Sequence, residues 1–251
     1  MGEALVAGLL DAGWAEPSEL RIVEAVAARR DSLAARFEAV AVTGECAPAD
    51  GSVVAVKPPD VGAACQAAVA AGTGRVLSIA AGVSLAKIEA ACGPGVAVIR
   101  AMPNTPALVG AGAAAIAPGA AASEADLAWA EGILAAVGTV VRVDEARLDA
   151  VTGLSGSGPA YVFLVAEALI EAGVLAGLPR DTSAALTIQT VLGAARLLAE
   201  SGDTPEALRG AVTSPGGTTA AGLRALESAG VRAALLDAVK AATERSRQLG
   251  A

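Results

Sequence analysis

Arg75 to Pro106 reads RVLSIAAGVSLAKIEAACGPGVAVIRAMPNTP, and the order of its patterns decides the fold. Arg75 to Ile79 is extended, Ala80-Ala81-Gly82 turns the chain, and Leu85 to Ala91 has helical spacing. Val96 to Arg100 is extended again and runs into Met102-Pro103-Asn104-Thr105-Pro106. Upstream, Glu3 to Ala12 reads as a helix with Leu5, Leu9 and Leu10 on one side, Leu20 to Val26 is β-rich, and Arg29 to Phe37 is helical. Ser52 to Val56 is an apolar run stopped by Lys57-Pro58-Pro59, since proline forbids its continuation, and Asp60 to Ala71 is helical. Downstream come Ala113 to Ala117, a helix from Glu124 to Val137 and a strand from Thr139 to Val143. Strands alternating with helices predict an α/β domain over residues 1–143 built on a doubly wound parallel sheet. Such sheets place ligands beyond the carboxyl ends of their strands, where Lys57-Pro58, Ala80-Ala81-Gly82 and Asn104-Thr105 fall.

From residue 144 to 251 no strand pattern remains. Asp144 to Leu154, Gly158 to Ala176, Arg180 to Ser201, Thr204 to Val212, Gly217 to Ser228 and Val231 to Leu249 all read as helices. Pro159 and Pro179 suit first-turn positions. Val162, Val165, Ala166, Leu169 and Ile170 form a helical stripe, read as core or subunit interface. The apolar faces of Tyr161 to Leu175 and Leu186 to Leu198 exceed what one small bundle buries.

Composition narrows the chemistry. The 251 residues carry no histidine, which removes Ser-His-Asp and Cys-His catalysis, a histidine base and histidine metal ligands. A net charge of −8 argues against nucleic acid or an anionic membrane as partner. With aromatics at 2%, the core must come from small aliphatic groups. Cys46, Cys65 and Cys92 are widely spaced and odd in number, so no metal or redox motif results and a reduced, cytoplasmic chain is expected. The opening carries Glu3 and Asp11 without a basic region, so it does not read as a secretory signal. Ala107 to Ala122 is broken by Gly110, Gly112, Pro118 and Gly119, and Tyr161 to Leu178 carries Glu167 and Glu171, so neither reads as a membrane span.

Two segments stand out. In Thr213-Ser214-Pro215-Gly216-Gly217-Thr218-Thr219, Ser214 suits an N-cap and Pro215 a first helical residue. A helix start with glycines beside its free amides can hold a carboxylate or phosphate; the same residues also suit an ordinary capped helix. Val151 to Tyr161 (VTGLSGSGPAY) sets Gly153, Gly156 and Gly158 between two helical patterns, which calls for special backbone geometry, a very close helix contact or simply a corner.

Taken together with AVKP (Ala55 to Pro58), AAGVS (Ala80 to Ser84), RAMPNTPALVGAG (Arg100 to Gly112), DAVTGLSGSGPAY (Asp149 to Tyr161) and AVTSPGGTTAAGL (Ala211 to Leu223), the chain resembles pyrroline-5-carboxylate reductase. The resemblance covers essentially the whole chain, in family order. It implies a Rossmann-like domain followed by an all-α dimerisation domain, and reduction of a cyclic imine to L-proline with NADPH, or with NADH as the alternative. Interleaving helices would make an obligate homodimer or a larger homo-oligomer. Family members open with a strand and a Gly-rich turn, of which Met1-Gly2 would be the end; the strand belongs in the middle of the sheet. The segment Thr43 to Pro48 is shorter than usual and lacks an Asn used near the adenosine ribose.

The resemblance also implies roles. The substrate carboxylate would sit on Ser214 and the amides of Gly217, Thr218 and Thr219, with the Thr219 hydroxyl facing the ring nitrogen as the catalytic contact. Glu145 would lie near the substrate, where an anion favours iminium, or it is a solvated helix-start carboxylate. The cofactor would meet Met1, Gly2, Ala55, Val56, Lys57, Pro58, Ala80, Ala81, Gly82 and Asn104. Arg29 and Arg30 could pair with a 2′-phosphate or form the solvated first turn of a helix. No metal is implied. Two rival readings are a cofactor-impaired homologue without catalysis and a reductase of another imine or keto acid.

Overall fold

In the computed structural model, which describes residues 1–250, the strand–helix alternation of the first half is present, but as two sheets. Helix α1 (Gly2–Asp11) is followed by β1 (Arg21–Val23), α2 (Ala27–Arg36) and β2 (Ala41–Thr43), and β1 pairs with β2 in parallel. Then β3 (Ser52–Val54), α3 (Val61–Ala70), β4 (Arg75–Ser78), α4 (Leu85–Cys92), β5 (Ala97–Met102), β6 (Gly112–Pro118), α5 (Glu124–Ala135) and β7 (Gly138–Arg142) build a five-stranded sheet in sequential order. Helix α1 spans the break between the sheets. Its Leu5 and Leu9 lie in the core of the larger sheet, while Val6, Ala7 and Leu10 pack on Leu33, Phe37 and Val40 beside the smaller one.

The winding is double because strand side chains alternate. Leu77, Ile99 and Ile116 point to the face covered by α1 and α5. Their neighbours Val76, Val98 and Ala115 point to the face covered by α3 and α4. Both faces are buried, so these strands carry apolar runs rather than an alternating pattern. Two expectations need correction. The sheet is not wholly parallel: β6 runs antiparallel to β5. Only nine residues separate them, too few for the crossover of about a dozen that a parallel pair requires. Strand β2 is also present, although its three residues have no length for a pattern.

The helical half comprises a 3₁₀ turn at Glu145–Arg147, α6 (Leu148–Val151), a π turn at Thr152–Gly156, α7 (Gly158–Leu175), α8 (Arg180–Glu200), α9 (Pro205–Ala211), α10 (Thr218–Ser228) and α11 (Val231–Gly250). The compact units do not divide at residue 144. One contains residues 1–157 together with the chain from Lys240 on, the other residues 158–239. The reason is packing. Leu148 is fully buried in the cluster of Val76 and Val98, Ser246 Oγ donates to Asp149 Oδ1 (2.6 Å), and Lys87 Nζ donates to the Gly250 carbonyl (3.0 Å).

The second unit has almost no interior. Among its described residues only Ser183 and Thr187 are buried, and Ser183 Oγ bonds the Ile170 carbonyl (2.8 Å) where α8 meets α7. No residue of α7 is buried. By length and composition alone, Glu145–Leu175 and Arg180–Glu200 are apolar enough to cross a bilayer, a property that helices of soluble proteins share.

Candidate active site

The carboxyl ends of β3, β4 and β5 lie along one edge of the larger sheet because these strands are parallel neighbours. They carry three of the expected cofactor segments. After β3, Ala55 and Val56 lead to Lys57, which is extended (φ −68°, ψ 151°) ahead of the 3₁₀ turn at Pro58–Asp60. After β4 come the buried Ala80, then Ala81 and Gly82, ahead of α4. After β5 comes Asn104, 9% exposed.

Met1 and Gly2 reach the same edge. Met1 is the N-cap of α1, and a Cβ added to Gly2 would stand 3.2 Å from the Ala55 Cβ. Gly2 therefore stays bare where the helix start meets the end of β3. Bare backbone, helix-start amides and the open ends of parallel strands are what a dinucleotide requires, so the residues present fit a nicotinamide cofactor.

Asn104 has a different use for its side chain. Oδ1 accepts from Ala113 N (2.8 Å) and Nδ2 donates to the Ser155 carbonyl (3.0 Å). The amide braces β5 against β6 and the Gly-rich turn, leaving the Asn104 backbone at the edge. That turn resolves the glycine question. The chain bends through a π turn, and a Cβ on Gly156 would come within 2.7 Å of the Met102 Cε.

Glu145 is a partnered carboxylate at the start of a 3₁₀ turn, with a third of its side chain exposed. Its Oε1 accepts both from Arg100 Nη1 (2.9 Å) and from Leu85 N (2.6 Å), the first amide of α4. Arg100 is nearly enclosed, at 10% side-chain exposure, so it needs this partner. One carboxylate thus fixes the helix that follows Ala80-Ala81-Gly82, and Oε2 takes neither bond. Glu145, Arg100, Gly82, Ser84, Asp149 and Arg247 line an open cleft of about 390 Å³. Sequence reading missed Arg100, although an arginine inside the apolar run AVIRAM signals a buried charge in need of a partner.

Arg29 and Arg30 both have partners within the chain. Arg29 and Arg36 both pair with Glu3 in the first turn of α1. Arg30 Nη1 donates to the carbonyls of Glu24 (2.9 Å) and Ala25 (2.8 Å). Two guanidinium groups on one carboxylate leave the start of α1 with a positive surplus.

In the second unit the expected anion clamp has another frame. Ser214 does not cap α10; Gly217 does, and the helix starts at Thr218. The cause is the tight turn ahead of it. Gly216 has φ +70°, the Gly217 amide bonds the Ser214 carbonyl (3.0 Å), and a Cβ on Gly217 would lie 2.2 Å from the Ser214 Oγ. The Gly217 amide is therefore taken, while the Ser214 hydroxyl stands over Gly217 at the helix start. The first helical bond runs from Ala221 N to the Gly217 carbonyl (3.2 Å), so the amides of Thr218 and Thr219 face out of the helix mouth. Ser214, Thr218 and Thr219 are brought together, with Gly217 as the bare floor between them.

The three cysteines are free thiols, with Cys65 and Cys92 buried between α3 and α4. Burial, reinforced by the neighbouring Cys92, pushes the Cys65 thiol up to about 12, which makes it inert as a nucleophile. Among the described residues no group of His, Cys, Asp or Glu could hold a metal ion.

A family model described as pyrroline-5-carboxylate reductase dimerisation matches residues 145–249. The pyrroline-5-carboxylate reductase of Synechocystis sp. is 48% identical over 255 residues, which cover 100% of this chain and 95% of that protein. A solved pyrroline-5-carboxylate reductase from Coxiella burnetii shares 36% identity at a TM-score of 0.94, covering 100% of this chain and 95% of that one. The pyrroline carboxylate reductase of Plasmodium falciparum, solved with NADP bound, shares 30% identity at a TM-score of 0.85 with the same coverage.

Proposed function

The chain belongs to the pyrroline-5-carboxylate reductase family, and we propose that it reduces 1-pyrroline-5-carboxylate to L-proline, the last step of proline biosynthesis, using NADPH or NADH. The observation that carries the substrate side is the mouth of α10, where the Ser214 hydroxyl and the amides of Thr218 and Thr219 surround a glycine floor. These donors hold the substrate carboxylate. The Thr219 hydroxyl, in the first turn, donates to or accepts from the ring nitrogen as it becomes an amine.

The reaction adds a hydride to the C=N carbon and a proton to nitrogen. Met1, Gly2, Ala55, Val56, Lys57, Pro58, Ala80, Ala81, Gly82 and the Asn104 backbone would hold a reduced nicotinamide dinucleotide at the strand ends, where it would supply the hydride. A cyclic imine takes its proton from solvent near neutral pH, so a chain without histidine loses nothing. Glu145, anchored through Oε1, offers Oε2 as the anion that favours the iminium form. Proximity and orientation then supply most of the acceleration.

The protein works as a self-assembled oligomer, a dimer at least; the dimerisation match over residues 145–249 and the bare apolar faces of α7 and α8 support this. The same faces pass as membrane-spanning by composition because a second copy covers them. Cytoplasmic location fits three unpaired thiols, and the net charge of −8 fits a partner set without nucleic acid or membrane.

Steady-state reduction of pyrroline-5-carboxylate by Thr219→Ala tests the site. The substitution should spare folding, because alanine is a good helix former. It should lower kcat about ten- to a hundredfold, roughly 1.5–3 kcal/mol, with a smaller effect on KM. Ser214→Ala should mainly raise KM, since a carboxylate contact is alike in ground and transition states. Unchanged kcat in Thr219→Ala would leave the turn as an anion clamp only.

A further inference from the structure

Helix α1 leads to strand β1, which pairs in parallel with β2, and the residue just beyond the carboxyl end of β1 is Glu24. It follows the last residue of β1 and lies 22 positions beyond Gly2. Its amide bonds the Thr43 carbonyl (3.0 Å), which continues the pairing with β2 and fixes its backbone. Its Oε1 accepts from Val26 N (2.9 Å), which turns the carboxylate back over the loop, and the residue stays half-exposed. Arg30 ties the same loop down through the carbonyls of Glu24 and Ala25, and its guanidinium stands against Gly44 in the loop after β2. In dinucleotide-binding folds an acidic residue about 20 positions beyond the Gly-rich turn receives the adenosine ribose hydroxyls, whereas arginine there accommodates a 2′-phosphate.

We propose that Glu24 sets the selectivity between NADH and NADPH, by accepting a hydrogen bond from the 2′-hydroxyl of NADH and opposing the 2′-phosphate of NADPH. The chemistry is one-sided. An ionised carboxylate only accepts hydrogen bonds, which suits a hydroxyl donor, and a phosphate monoester brings nearly two negative charges beside it. The cations at hand are committed: Arg29 to Glu3, and Nη1 of Arg30 to two carbonyls. Whatever the balance of the native protein, Glu24 pushes it toward NADH and Arg30 is the nearest counterweight.

The inference rests on the nucleotide reading of the strand ends, and the test separates the two. Fluorescence titration of the full chain with NADH and with NADPH gives two dissociation constants, for the native protein and for Glu24→Gln. Glutamine keeps the length and an oxygen for the Val26 amide but removes the charge. The expected result is a tenfold or larger shift of the NADPH-to-NADH affinity ratio toward NADPH, with an unchanged melting temperature. Arg30→Gln should shift the ratio the other way. Tight binding of both nucleotides with a ratio that Glu24→Gln leaves within twofold overturns the role of Glu24 and spares the nucleotide site. Failure of the native chain to bind either nucleotide overturns that site and the proposal with it.

Discussion

In the α/β unit Val76, Leu77, Ile88, Val98, Ile99 and Ile116 are enclosed completely by their own chain, whereas in the helical unit Phe163, Leu164, Leu186 and Ile188 each stand more than half exposed. The two regions draw on the same kinds of residue. What differs is the number of layers. A sheet with helices on both faces buries two sets of side chains per strand, while the helices of residues 158–239 present apolar groups on sides that nothing in the chain covers. The first unit can be judged as a folding unit by itself. In the proposed assembly the stability of the second becomes a property of the oligomer, and its free energy then depends on protomer concentration.

The sharpest way to break this comparison is a charge on the bare face. Leu164→Asp would place a carboxylate where a partner's side chains pack. Besides the roughly 1.5–3 kcal/mol lost with a buried leucine, the charge must be desolvated or the interface opened. The expected outcome, read by size-exclusion chromatography with light scattering, is loss of the oligomer. Unfolding would begin in the helical unit, while the α/β unit keeps its far-ultraviolet signature. An unchanged oligomer would show that this face of α7 is solvent-facing in solution.

Ile99→Ala is the mirror experiment. Ile99 is fully buried at the centre of the five-stranded sheet, beside Leu77. Removing its side chain should cost about 2–5 kcal/mol, seen in denaturant melts, with no change in oligomer size. Dissociation on this substitution would contradict the independence of the two cores.

The smallest effect concerns a helix end of the α/β unit. Ser123 and Asp126 form a capping box on α5, and the hydrogen bonds from the Ser123 hydroxyl and amide hold the Asp126 carboxyl below its ordinary range. A carboxylate whose folded value is lowered contributes stability above its unfolded value and loses it as the pH falls through the folded one. Ser123→Ala should cost about 1 kcal/mol at neutral pH and progressively less toward pH 3, as the native helix loses the same contribution. A penalty that does not change with pH would show that the Asp126 charge is not involved.

Much of this molecule was legible before its structure. Helices α3, α5, α7, α8 and α11 and strands β4 to β7 fall within a few residues of where spacing, proline and glycine place them, because each is long or bounded by a breaker. Strand β2 was not legible, since Ala41–Thr43 is too short for a pattern and is specified by its pairing with β1. The start of α10 is read to within one residue, Gly217 against Thr218, but its cap is not, for a local reason. Ser214 and Pro215 satisfy the rules for a cap and a first residue, but Gly216 takes the left-handed conformation and moves the start to Thr218. The compact units divide after Ser157 rather than at residue 144 because Leu148, Asp149 and Ser246 belong to the sheet's packing, a long-range fact that composition does not carry. Glu145 could be placed near the site from its motif, yet its bond to Arg100 joins residues 45 positions apart and needed the fold.

Completion of residues 158–239 by another copy of the chain underlies the proposed assembly. Hydrogen exchange followed by mass spectrometry over a dilution series, with light scattering on the same samples, tests it most directly. An oligomer is expected at micromolar concentration. Amide protection in α7 and α8 should fall as dilution releases monomer, while protection in β4, β5 and β6 holds. A stable monomer at micromolar concentration in which α7 and α8 stay as protected as the sheet would contradict it.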